Sequence, residues 1–221
     1  MKKLALIALL ISGLTIKAQH DVSLNLLGFA FSKYGIGYEY AINQNNSVGI
    51  NFNMTSKNMF DDGTDSFGNE MDYSEMNIIP EYKFFLTPNK GNDGVYIGVY
   101  GKYRIASTKD IDYTGAVLDM TNPTQLSIVT GTTDVSNTGL SLGAILGYKW
   151  QTSGALFLEA TAGVGKFIMN NITVDDQDVI DNFVISTYNE DDYTPYIGNT
   201  LAVDLRLAVK IGLRFGGGSK E

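Results

Sequence analysis

The strictest pattern in the chain is an alternation of apolar and polar residues that runs without interruption from residue 201 to residue 215. Every odd position in this stretch is Leu, Val, Ile or Phe, and every even position is Ala, Gly or a charged residue. Successive side chains of a β-strand point to opposite faces of the sheet. The segment is therefore predicted to be one long strand with a purely apolar face and a face that is charged or small.

Seven further segments alternate in the same way: Val22–Phe31, Gly35–Asn43, Ser47–Lys57, Tyr73–Leu86, Val95–Ser107, Gly139–Trp150 and Ala155–Met169. Pro80 lies inside one of them, which requires a bulge or a non-bonded position in the ladder. The eight segments predict an all-β fold, namely a closed, antiparallel, eight-stranded, up-and-down β-barrel.

The lengths of the links support this topology. Short links follow the second, fourth and sixth segments: Asn43–Asn46, Thr87–Gly94 and Gln151–Gly154. Long links follow the third, fifth and seventh: Asn58–Asp72, Thr108–Asp134 and Asn170–Asn199. Short turns at one rim and long loops at the other are typical of outer-membrane barrels. Two short alternating runs inside the long links, Leu126–Val129 and Phe183–Ile185, are too short to cross a bilayer. They are interpreted as hairpins that extend above the membrane, with ten strands as the alternative.

Alternation alone leaves open which face meets water, because a soluble lipocalin-type barrel would bury its apolar face. Two features favour an apolar exterior and hence a transmembrane barrel. The polar face carries many glycines, which suit the narrow interior of a small barrel: Gly35, Gly37, Gly98, Gly139, Gly143, Gly147, Gly163, Gly165 and Gly212. The apolar face carries aromatic residues near the strand ends, as membrane interfaces favour: Tyr40, Tyr103, Tyr148, Trp150 and Phe215.

The N-terminus has the pattern of an export signal. A basic start, an apolar run over Leu4–Ile16 and the small residue Ala18 predict a signal peptide over residues 1–18, followed by one barrel domain over residues 19–221. A retained membrane helix is the alternative, although the apolar run is shorter than the roughly 20 residues that such a helix needs. The chain has no Cys, and its net charge of −8 argues against nucleic-acid binding.

With its strand count, loop asymmetry and terminal Leu213-Arg214-Phe215, the chain resembles the small eight-stranded outer-membrane barrels of the OmpA transmembrane-domain and OmpX type. Gly216–Glu221 departs from that pattern, in which the aromatic residue usually ends the barrel. The resemblance implies a bacterial outer-membrane location, with the termini in the periplasm and the long loops outside. It also implies contact with outer-membrane lipid and lipopolysaccharide, and an assembly signal at Phe215 that the barrel-assembly machinery reads.

The charged strand residues, Glu75 among them, are assigned to the polar face. Twelve of them form a predicted lumen network: Glu39, Glu81, Lys83, Lys102, Arg104, Lys149, Glu159, Lys166, Asp204, Arg206, Lys210 and Arg214. An eight-stranded barrel has little room inside, and buried charges need partners. We therefore expect Glu81, Glu159 and Asp204 to pair with Lys102, Arg206 and Lys210 and to close the lumen. A narrow anion-favouring channel is the alternative.

The long links hold 16 acids, with Lys109 as their only base. This composition predicts a solvated acidic surface. Divalent-cation binding is a weaker alternative, for which Asp175, Asp176 and Asp178 offer hard oxygen ligands.

No catalytic pattern emerges. The only histidine, His20, is next to the predicted cleavage site and is expected outside the barrel, where it cannot serve a hydrolase triad. The sequence predicts a non-enzymatic barrel without a cofactor, whose acidic loops serve envelope integrity or surface contact. The alternatives are the channel and an accessory subunit that contacts another outer-membrane protein through small outward residues such as Ala144, Ala160 and Ala162.

Overall fold

The computed structural model describes residues 19–56, 72–89, 91–118, 125–152, 154–186 and 203–216. The predicted signal peptide and the tail after Gly216 lie outside these ranges. The strands, in chain order, are β1 (His20–Asn25), β2 (Lys33–Ala41), β3 (Asn46–Thr55), β4 (Asp72–Phe85), β5 (Gly94–Leu118), β6 (Leu126–Gln151), β7 (Leu156–Val174), β8 (Ile185–Ser186) and β9 (Val203–Phe215). Two short helices are α1 (Leu26–Ala30) and α2 (Gln177–Ile180).

Eight of these strands form a closed ring. Their hydrogen-bonded order is β4-β3-β2-β1-β9-β7-β6-β5, and pairing between β4 and β5 closes the circle. All the pairs are antiparallel, which confirms the eight-stranded barrel. The ten-strand alternative is wrong for the described residues: Leu126–Val129 is the start of β6, and the two-residue β8 pairs only with the far end of β5.

The two faces of the wall differ as the alternation predicts. In β9 the odd residues from Val203 to Leu213 are exposed or half-buried and the even residues from Asp204 to Gly212 are buried. The same alternation of exposed and buried positions runs along β4. Pro80 occupies a non-bonded position, because the β4–β5 ladder is interrupted between Ile78 and Glu81 without a change of register. The predicted non-bonded position is thus confirmed.

The interior contains aromatic rings as well as charges. Ile79, Phe85, Tyr96, Tyr100 and Ile145 form a buried cluster inside the barrel. Lumen-facing glycines make room for these rings, since a Cβ on Gly147 would collide with Tyr96 and one on Gly143 with Tyr100. Large residues on one strand thus pack against small residues on the neighbouring strands and fill the narrow interior of the barrel.

The first strand is shorter than predicted. It ends at Asn25 rather than at Phe31, and Leu26–Ala30 forms the helix α1. Asn25 caps this helix, because its side-chain oxygen accepts a hydrogen bond from the Gly28 amide at 3.3 Å. Apolar residues on both faces of the segment from Leu26 to Phe31 remove the two-residue period that a half-buried strand requires.

The link after β5 forms a hairpin that extends beyond the wall, as its alternating run predicts. Most of Thr108–Asp134 continues β5 and β6, which stay paired up to Leu118 and Leu126 after a bulge at Thr108–Ile111. This hairpin packs against the end of β7 and against α2 through a separate apolar cluster: Ile111, Tyr113, Val135, Val174 and Ile180. Burial, and then the nearby Asp176 carboxylate, raise the pKa of Tyr113.

Candidate functional site

The half of the lumen near the short turns is filled by ion pairs that cross it. Glu159 of β7 lies 2.7 Å from Lys83 Nζ of β4, 3.4 Å from Lys210 Nζ of β9 and 3.5 Å from Lys149 Nζ of β6. Tyr96 donates a hydrogen bond to the same carboxylate at 2.8 Å. Glu159 therefore ties several strands together across the interior.

A second carboxylate, Glu39 of β2, lies 2.6 Å from both Lys83 Nζ and Lys149 Nζ. Glu81 of β4 accepts from Arg206 Nη2 and lies 3.9 Å from Lys210 Nζ. These side chains are almost completely buried. A buried ion is tolerated only when it is paired and hydrogen-bonded, as these are.

One smaller ion pair lies further towards the long-loop rim. Lys102 Nζ is 2.7 Å from Asp204 Oδ1. Tyr100 and Ser141 donate to the other oxygen of this carboxylate, which is fully buried, at 3.0 and 2.6 Å. The three acids and three bases expected to pair in the lumen do contact one another, and the structure assigns the partners: Asp204 with Lys102, Glu81 with Arg206 and Glu159 with Lys210.

Lys166 does not belong to the lumen network, contrary to the prediction from the sequence. Its side chain is exposed on the outer face of β7. Lys166 shares its parity with the outward residues Val164 and Ile168, while Gly165 and Phe167 point inward. Strand parity alone therefore excludes Lys166 from the interior.

Two further carboxylates are buried in the lumen, namely Glu75, which strand parity places on the polar face, and Asp21, which the sequence does not assign there. Asp21 of β1 lies 3.0 Å from Lys149 Nζ and 2.9 Å from Arg214 Nε. Glu75 of β4 lies 3.4 Å from Lys33 Nζ and accepts from Tyr73. Asp21 alternates with the outward Val22, which is the available signal, but the predicted first segment begins at Val22 and therefore leaves Asp21 out.

Arg104 of β5 is a buried guanidinium with a different environment. Its Nη2 donates to Asn137 at 2.7 Å and to Asn170 at 3.2 Å, and its guanidinium stacks over the Phe167 ring at 4.6 Å. No carboxylate of the described residues lies within ion-pair distance of it, and its buried Nε has no hydrogen-bond partner among them.

A cavity of about 370 Å³ lies beside Arg104, on the long-loop side of the ion pairs. Its lining includes five bases, Lys33, Lys102, Arg104, Arg206 and Lys210, and among the described residues Glu75 is its only acid. The helix α1 contributes Leu27 and Gly28 to the same lining. The cavity thus combines an apolar wall with a concentration of positive charge.

The remaining predicted sites are placed as follows. His20 is in the wall rather than outside the barrel, because it begins β1, pairs with Phe215 and contacts the Tyr38 hydroxyl at 2.7 Å. Phe215 ends β9 with its ring exposed outward. Asp175 and Asp176 precede α2, and the side chain of Asp178 lies outside what the structure describes. The described residues contain no group of three metal-ligating side chains.

No helix in the described ranges is long and apolar enough to cross a membrane. A family model described as "Protein of unknown function (DUF3575)" matches residues 4–205. The chain belongs to this DUF3575 family. No curated protein matches the sequence.

Several solved structures are similar to this member of DUF3575. CarO of Acinetobacter baumannii is 9% identical, with a TM-score of 0.38 over 91% of this chain and 97% of that one. A major outer membrane protein of Thermus thermophilus is 14% identical, with a TM-score of 0.39 over 90% and 99% of the two chains. The Neisserial surface protein A, NspA, is 12% identical, with a TM-score of 0.34 over 90% and 94%. The paired strands of this chain themselves form the closed barrel.

Proposed function

We propose that this chain is a non-enzymatic bacterial outer-membrane β-barrel with a closed lumen, whose short turns face the periplasm and whose long loops face outward. The observation that most supports the location is the apolar exterior of the wall. Leu142, Leu146, Val164, Leu205 and Leu207 are each more than half exposed, which a water-soluble protein does not sustain over a continuous band. Hydrocarbon is the solvent that suits this surface.

The ion pairs around Glu159 and Glu39 support the closed lumen. They join β2, β4, β6, β7 and β9 across the interior, and aromatic rings fill the space between them. A conducting pore needs a continuous aqueous path, and these buried pairs obstruct it. The proposal therefore favours a structural or surface-contact role over transport.

The loop rim supports a surface-contact role. Asp110, Asp175 and Asp181 are exposed there, and the sequence adds further acids in the same links. In this proposal the acidic rim faces the anionic lipopolysaccharide layer, where divalent cations are available to bridge the two.

The location and the closure are tested separately on the purified protein. The first test is extraction: we expect the protein to need detergent, and a monodisperse protein in detergent-free buffer would contradict the location. The second is conductance in planar bilayers, where we expect no steady current above that of protein-free membranes. A stable anion-selective current would contradict the closed lumen and favour the channel.

A further inference from the structure

The barrel wall has a seam beside α1. β1 pairs with β9 only up to Asn25, opposite Lys210, whereas β9 continues along β7 to Val203. β1 likewise leaves β2 after Leu24, while β2 continues along β3 to Lys33. Over this height α1 packs between β2 and β9 in place of a strand. A helix in this position makes none of the ladder hydrogen bonds that seal the rest of the wall.

The cavity beside Arg104 reaches the outer surface through this seam. Its lining includes Ile36, Leu205 and Leu207, which point away from the lumen and are 52%, 63% and 70% exposed. The same lining includes the inward-facing Arg104, Arg206 and Lys210. One cavity therefore joins the apolar exterior to the charged interior.

The interior end of the cavity has unused hydrogen-bond donors. Arg104 Nε and Arg206 Nη1 are buried and have no partner among the described residues. Arg206 and the lysines of the lining have carboxylates within 4.0 Å, but Arg104 has none in the part of the chain that the structure describes. A buried, unpaired guanidinium is costly, and an anionic oxygen group bound next to it removes that cost.

We propose that this cavity binds a single-chain anionic amphiphile that enters through the seam from the bilayer. Its acyl chain lies against Leu27 and the outward residues of the seam, and its anionic head accepts hydrogen bonds from Arg104 and Arg206. A volume of about 370 Å³ is within the range of small-molecule sites, roughly 300–1,000 Å³. The inference rests on the proposed membrane location, because only a bilayer places the seam in contact with acyl chains.

The test uses the protein folded in phosphatidylcholine nanodiscs. Native mass spectrometry counts bound ligand, and NMR follows the side-chain Nε–H signal of Arg104, assigned by its loss in Arg104→Lys. The probes are dodecanoate, dodecyl phosphate, dodecanol and butyrate. We expect one dodecanoate or one dodecyl phosphate per barrel with a saturable shift of that signal, and the stronger of the two identifies the head group. Dodecanol and butyrate are expected to bind at least about tenfold more weakly. Dodecanol lacks the anionic head group, and butyrate lacks the long acyl chain.

Two variants and a control locate the site. Arg104→Gln is expected to weaken dodecanoate binding about tenfold or more, since it removes a charge-assisted hydrogen bond. Ala208→Phe fills the cavity without changing a charge and is expected to abolish binding. This variant tests the inference even if Arg104→Gln does not fold. Lys166→Gln removes a cation from the outer face and should leave the affinity within about twofold.

Absence of saturable binding, or equal binding by Arg104→Gln, by Ala208→Phe and by the unmodified protein, would overturn the inference. The same nanodisc samples show whether the barrel is inserted, and bilayer conductance shows whether it is closed. A barrel that is inserted and closed but binds no amphiphile would overturn this inference alone. A protein that does not insert would overturn the proposed function as well.

Discussion

At the scale of single residues, Glu159 illustrates how the lumen is held together. It contacts Lys83, Lys149 and Lys210 from three other strands, and all four side chains are buried. Removing one member of such a network leaves its partners charged and unpaired, so the cost is greater than the worth of any one contact.

We expect Glu159→Gln to lower the free energy of unfolding by about 3–5 kcal/mol, because three buried cations lose their shared carboxylate. Urea unfolding in lipid vesicles, followed by the fluorescence of the single tryptophan Trp150, measures the change. Asp181→Asn, at an exposed loop position, is the matched control and should stay within about 0.5 kcal/mol. Equal stability of the two variants would show that the network contributes little.

Strand parity predicts most inward residues directly, since each strand has one apolar and one polar face. Lys166 shows the limit of reading charge without parity, because its neighbours Val164 and Ile168 place it outside. The partners of each charge were less predictable. Lys149 meets Asp21 from a strand more than a hundred residues away, and only the closure of the ring brings them together.

At the scale of elements, lumen glycines and rings work as matched pairs across strands. Gly147 of β6 lies against Tyr96 of β5, and Gly212 of β9 lies against Phe157 of β7. The sequence predicts small residues on the inner face, because the barrel is narrow. Which ring each glycine accommodates depends on the register between strands.

The glycine–ring pairing is tested by comparing two glycines of the same region. Gly147→Ala places a Cβ against the Tyr96 ring, whereas Gly154→Ala meets nothing within 4 Å. We expect Gly147→Ala to lose about 1–3 kcal/mol of stability through overpacking. Gly154→Ala should be close to neutral in the same urea experiment. A neutral Gly147→Ala would mean that the ring moves aside without cost.

The extended β5–β6 hairpin is a second ordered element, with its own apolar cluster around Ile111. Ile111→Ala is expected to destabilise this cluster by about 2–5 kcal/mol, because Ile111 is completely buried. Ile128→Ala in the same hairpin is the control, since Ile128 is 76% exposed. Limited proteolysis of the folded protein should cut the first variant much faster in the hairpin and leave the barrel strands intact. Equal rates for both variants would place the stability of the hairpin elsewhere.

At the scale of the whole molecule, the distribution of side chains is the reverse of that in a water-soluble protein. Its apolar side chains face outward and its ion pairs lie within, which is stable only when hydrocarbon surrounds the wall. The proposed location and the proposed ligand at the seam both rest on this orientation.

A lysine on the outer face tests this orientation. We expect Leu146→Lys to reduce stability in vesicles by about 2–4 kcal/mol, because it places a charge in the hydrocarbon. Ile128→Lys, on the extended hairpin beyond the wall, should cost less than about 1 kcal/mol. Refolding yields and urea unfolding of the two proteins give the comparison. If Leu146→Lys instead improved behaviour in detergent-free buffer, the exterior would be solvated by water.

The strands, their alternating faces and the closed eight-stranded ring follow from the amino-acid order alone, because side-chain period and link length are local properties. Contacts between distant residues settle the rest: the partners of each buried charge, the end of β1 at Asn25 and the seam beside α1. Both faces of Leu26–Phe31 are apolar, so its period specifies neither strand nor helix. Packing between β2 and β9 selects the helix. Because the helix replaces a strand there, a cavity remains open beside Arg104.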